Sequence, residues 1–113
     1  MGYELQITRA EDWTRSQEQP IEKEEWLALI RSDPEFQLNP RFDHISNWRQ
    51  GGWVLSGEDE GELTAVLFRW QKGCLRVEVT DRPTLKKMLE LALKLGARVQ
   101  GEDGEIYRSA DDW

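Results

Sequence analysis

The chain has 113 residues, 15 of them basic and 22 acidic, giving a net charge of −7 with 38% hydrophobic and 33% charged residues. That length fits one domain, residues 1–113, around one core, and the aromatic content, with six tryptophans, excludes a disordered chain. No apolar run approaches the roughly 20 residues of a bilayer span. MGYELQITRAEDW lacks the apolar stretch of a signal peptide and Cys74 is the sole cysteine, so a cytoplasmic chain with no internal disulfide and no membrane partner is expected.

In chain order, Tyr3, Leu5 and Ile7 alternate with Glu4, Gln6 and Thr8, the period of a strand with one buried face. AEDWTRSQEQP is polar and reads as a loop carrying one exposed or half-buried ring, Trp13. IEKEEWLALIRSDP sets Trp26, Leu27 and Ile30 on one helical stripe, places acids where the helix dipole favours them, and stops at Pro34. Phe36 with Leu38 suggests a short strand, and Asn39-Pro40 a turn; the pattern up to Trp48 is weak. Gly52 to Ser56 reads as a strand that turns Trp53 inward and joins the next strand through Ser56 to Gly61. In GELTAVLFRWQKGCLRVEVT two alternating runs flank Gln71-Lys72-Gly73, which predicts a hairpin whose first strand, apolar on both sides, lies inside the sheet. Beyond Asp81, Leu85, Met88, Leu89, Ala92 and Leu95 line one helical face and Lys86, Lys87, Glu90 and Lys94 the other. Asp81 or Thr80 serves as cap and Gly96 as stop. GEDG between Arg98-Val99-Gln100 and Glu105-Ile106-Tyr107 predicts a terminal hairpin. The expected fold is α+β: an antiparallel sheet of about four to six strands with two helices packed on one face.

Charge is unevenly placed. Residues 63–100 hold eight basic side chains against three acidic ones, while Glu58, Asp59, Glu60 and Glu62 precede this stretch and Glu102, Asp103, Glu105, Asp111 and Asp112 follow it. Acidic loops keep small domains soluble, and they also steer a basic partner into contact. Six tryptophans exceed what so small a core needs, and tryptophan concentrates at the energetic centre of interfaces. Trp13, Trp48 and Trp113 are expected to stay accessible; Trp26, Trp53 and Trp70 are expected inside.

Three segments carry a resemblance. WLALIRSDPEF, LKKMLELALKLGARVQ and above all VQGEDGEIY resemble a group of small bacterial proteins, most without an assigned activity, some of which serve as immunity proteins against secreted toxins. The matching positions are Trp26, Leu27, Ile30, Asp33 and Pro34, then Leu85, Met88, Ala92, Leu95, Val99, Gln100, Gly101, Asp103, Gly104, Glu105 and Tyr107, about half the chain. The central strands from Leu38 to Val79 do not align. The resemblance implies a protein partner and supplies no catalytic residue.

Side chains suited to catalysis are scarce. His44 is the sole histidine and reads as a surface or turn residue beside Asp43; Cys74 reads as a small, partly buried filler. The acidic loops lack the ligand spacing of a calcium loop, and Gly51-Gly52 and Gly57 lack that of a nucleotide loop. No cofactor or metal is expected, and the reading is a non-catalytic domain. Its partner-binding residues are expected to be Trp48, Glu58, Asp59, Glu60, Glu62, Trp13 and Trp113, and its partner a basic toxin domain whose active surface it occludes. The alternative is a small nucleic-acid-binding or regulatory domain using the basic strip 69–98, which the net −7 opposes. Exposed strand edges could also pair two copies of the chain.

Overall fold

The N-terminal alternation becomes β1 (Tyr3–Thr8), with Leu5 and Ile7 turned to one side of a sheet and Gln6 and Thr8 to the other. The computed structural model describes residues 3–38, 41, 44–48 and 66–112. Among these, β2 (Phe36–Leu38), β3 (Ile45–Trp48), β4 (Val66–Gln71), β5 (Cys74–Val79), β6 (Arg98–Gln100) and β7 (Ile106–Tyr107) join β1 in one antiparallel seven-stranded sheet. The order is β2-β3-β4-β5-β1-β6-β7, so the N-terminal strand lies between β5 and β6. The α+β class is as expected, with one strand more than the upper expectation. The extra strand is β3, which occupies the place beside β4 expected of Gly52 to Ser56; those residues lie outside the described ones.

The hairpin expected at Gln71-Lys72-Gly73 is β4–β5, with Gln71 opposite Cys74 and a two-residue turn at Lys72 (φ 51°) and Gly73 (φ 84°). Two left-handed residues match the right-handed twist of the flanking strands. A Cβ on Gly73 would also come within 2.9 Å of both Pro20 Cβ and Ser16 O, so only glycine fits. As expected, β4 is an interior strand, between β3 and β5. Its two faces are unequal, however: Phe68 is buried and Leu67 exposed.

Both helices pack on the Leu5/Ile7 side. In α1 (Lys23–Arg31) the Glu25 carboxylate accepts the Glu22 amide at 3.2 Å, satisfying one free donor of the first turn. Asp81 caps α2 (Arg82–Leu95) by accepting the Thr84 amide at 3.0 Å, and Gly96 ends it in the left-handed region. Leu85, Met88, Leu91, Ala92 and Leu95 are buried against the sheet, each leucine or methionine contributing about 1.5–3 kcal/mol of apolar burial. On α1, Trp26 stacks on Phe68 at 5.9 Å and meets Phe36 edge-on at 5.6 Å. Its Nε1 donates to Ser46, which satisfies a hydroxyl buried in this aromatic layer.

Trp48 corrects an expectation. It is 4% exposed, packs edge-on against Phe68 at 6.3 Å and donates its Nε1 to Glu35 at 3.0 Å. Strand alternation turns it to the same side as Ser46, into the core, so its ring offers no accessible surface. Trp26 is buried as expected. Trp70 is half-buried, with Nε1 donating to Ile21 O. Trp53 and Trp113 lie outside the described residues.

Lys87 is a second correction. The helical pattern puts it on the wet face of α2, yet it is buried, with Nζ 2.7 Å from Asp33, 2.9 Å from Glu35 and 3.2 Å from Glu90. Burial alone would lower its pKa; hydrogen bonds to the three carboxylates outweigh that and raise it. Arg9 plays a similar part at the end of β1, donating to Leu95 O at 2.9 Å and to both carboxylate oxygens of Glu25. These two cations tie the helices to each other and to the sheet.

Candidate functional site

The opposite side of the sheet is polar. Glu4, Gln6 and Thr8 of β1 stand beside Arg76 and Glu78 of β5 and beside Gln100 and Arg98 of β6. Instead of the expected loop, residues Trp13–Glu18 form a 3₁₀ helix, η1, that lies on this face, capped by Asp12 through the Thr14 amide at 2.9 Å. The Ser16 hydroxyl meets that of Thr8 at 2.7 Å, beneath it.

Gln100 holds the front of η1 in place. Its Oε1 accepts the Trp13 amide at 2.9 Å, and its Nε2 donates to Glu11 O. The Trp13 indole donates to Glu102 O at 3.1 Å, and the Arg76 guanidinium lies 5.3 Å from the ring centroid, a cation–π contact. Trp13 is therefore half-buried, clamped between the β1–η1 loop and the β6–β7 loop.

The terminal VQGEDGEIY motif supplies this clamp. Gln100 makes the cross-link. Gly101 leaves room for the Glu105 carboxylate, whose atoms would lie 2.4–2.5 Å from a Cβ there. Glu105 accepts the Asp103 amide at 3.1 Å, Gly104 turns the chain at φ 85°, and Tyr107 pairs with Val99. The motif builds a loop that reaches across to Trp13.

Around Trp13 this brings together acids that are distant in sequence. Glu11 and Asp12 come from one loop, Glu102, Asp103 and Glu105 from the other, and all five are exposed. A Cβ on Gly104 would lie only 3.8 Å from Asp12 Oδ2, which measures how closely the two loops approach. Of the cations nearby, Arg15 pairs with Glu18 at 2.8 Å and Arg76 with Glu4. The surface is an aromatic ring with a negative rim.

Of the expected partner-binding residues, Trp13 sits at the centre of this surface and Trp48 is in the core. Glu58, Asp59, Glu60, Glu62 and Trp113 lie outside the described residues. The acids of the β6–β7 loop carried a charge signal in the sequence, but nothing there joined them to Trp13. The Gln100 cross-link and the Trp13 indole bond to Glu102 O do so.

The basic strip 69–98 does not form one surface. Arg69, Arg76 and Arg98 project from the polar face of the sheet, whereas exposed Lys86 and Lys94 belong to α2 on the other side, and Lys87 is buried. His44 is exposed in a turn, with its carbonyl accepting the Trp70 amide at 2.7 Å. Burial pushes the Cys74 thiol up, an effect that hydrogen bonding to Ser16 and the charge of Arg76 only partly offset, so the sulfur is held as a neutral thiol. Among the described residues, no group of three or more metal-ligating side chains converges, and no helix is long and apolar enough to cross a membrane. No family model matches this chain, and no curated protein or solved structure matches it.

Proposed function

We propose that this chain is a non-catalytic protein-binding domain that captures a basic partner on the Trp13 surface, acting in the cytoplasm as an immunity protein that occludes the active surface of a toxin domain. The observation that carries the reading is the gathering of five exposed acids from two loops around one half-buried tryptophan. A ring already held in place loses little entropy on binding, and a rim of one sign accelerates encounter with the opposite sign. The resemblance of the terminal motif to immunity proteins agrees with this assignment, since that motif builds half of the surface.

Affinity capture from the native host, followed by an activity assay of whatever is captured, tests the proposal. The expected result is a basic protein whose activity falls when this chain is added. Capture of no basic protein, or of one whose activity is unchanged, would contradict it.

A further inference from the structure

Beside Trp13, between η1 and the β4–β5 turn, a half-open pocket of about 200 Å³ is lined by Trp13, Ser16, Gln71, Lys72, Cys74 and Arg76, among others. The space is on the scale of a small organic acid. Although the chain carries 22 acidic residues, no carboxylate is among the described lining residues. The pocket is a donor-rich, cationic enclave beside a negative rim.

Two features point to use of those donors. Lys72 holds φ 51° in a turn whose first position is dominated by asparagine, aspartate and glycine, so the backbone alone would be better served by another residue. Such local departures from the best turn chemistry concentrate where a side chain has work to do. The second feature is Arg76, whose half-buried guanidinium gives one nitrogen to Glu4 and stands 5.3 Å from the Trp13 ring centroid, so that cation and ring line the pocket together.

We propose that this pocket binds a small carboxylate, its oxygens facing Lys72 and Arg76 and its apolar body resting on Trp13. Glu4 already offsets the charge of Arg76, so Lys72 leaves a surplus of one positive charge, which suits a monoanion better than a phosphate dianion. The neutral Cys74 thiol and the Ser16 hydroxyl add polar wall without opposing charge. The pocket shares Trp13 with the partner surface, but binding of a small anion at Lys72 can fail separately from partner capture.

Titration of the ¹⁵N-labelled chain with benzoate, acetate and inorganic phosphate, followed by amide shifts, is the test. Benzoate is expected to give saturable shifts confined to Trp13, Thr14, Ser16, Gln17 and Gln71 to Arg76, with weaker effects from acetate and phosphate. Lys72→Asn is the decisive variant, because asparagine suits the turn: it should raise the melting temperature while weakening benzoate binding by about tenfold. Lys72→Arg should retain binding. Absence of saturable shifts, tighter binding of phosphate than benzoate, or unchanged binding by Lys72→Asn would overturn the assignment.

Discussion

Gln100 and Trp13 lie 87 positions apart in sequence, yet the Gln100 side-chain oxygen accepts the Trp13 amide at 2.9 Å. Through this bond the terminal hairpin fixes the first loop, and the two acidic segments come to share one surface. Gln100 is fully buried, so its replacement would strand the Trp13 amide and the Glu11 carbonyl.

Gln100→Ala should therefore destabilise the fold by about 2–3 kcal/mol, the scale of leaving buried polar groups unpaired. Urea unfolding measures the loss, and amide exchange at Trp13 should accelerate more than exchange in α2. Unchanged protection at Trp13 would show that the cross-link does not hold η1.

Trp48 and Trp13 should separate stability from binding. Trp48→Ala removes a core ring and its bond to Glu35, at a cost of about 3–5 kcal/mol. Trp13→Ala removes a cation–π contact and one exposed hydrogen bond, at about 1–2 kcal/mol. Thermal melts of the two variants test the ordering; a larger loss for Trp13→Ala would reverse the assignment of the two rings.

Lys87→Met should cost about 3 kcal/mol or more at neutral pH, because Asp33 and Glu35 would keep their charges without their cation. The folded pKa of Lys87 is raised above its ordinary 10.5, so the lysine contributes fully below that value. The contribution is lost only as pH climbs through the higher folded value. The stability gap between wild type and Lys87→Met should thus stay constant through neutral pH and close only in strong alkali. A gap that closes near neutrality would contradict the network.

The opposite sign applies to Glu25. Hydrogen bonds from Arg9 and from the Glu22 backbone lower its pKa from 4.5 to about 2. Its stabilising contribution is present above 4.5 and is lost as pH falls towards 2. The melting temperatures of wild type and Glu25→Gln should converge across that window, and salt should narrow their difference at neutral pH, since the pair is partly exposed. A difference that persists in stronger acid would count against the Arg9 contact.

Much of this fold was legible in the sequence, because β1, the β4–β5 hairpin and α2 each repeat an apolar period long enough to declare a face, and the GEDG turn marks the terminal hairpin. β3 was not. Its core-facing residues are Ser46 and Trp48, and a serine on the buried side erases the alternation; that serine is tolerated because Trp26, from another element, donates to it. Lys87 was misplaced for a related reason, since its neutralising acids Asp33 and Glu35 lie more than 50 positions away. In the candidate site, the sequence showed the ring and the acids of the terminal loop but not their meeting. That depends on Gln100, whose partners sit 87 and 89 residues away, and on the Trp13 indole bond to Glu102 O.

The most direct measurement is quantitative capture of a basic partner from the native host by wild type, by Trp13→Ala, and by the triple reversal Glu11→Lys, Glu102→Lys and Asp103→Lys. Circular dichroism and thermal melts confirm that each chain is folded. Retention by wild type, sharp loss in both variants and weakening at high ionic strength are predicted. Equal retention by all three chains, insensitive to salt, would contradict the account.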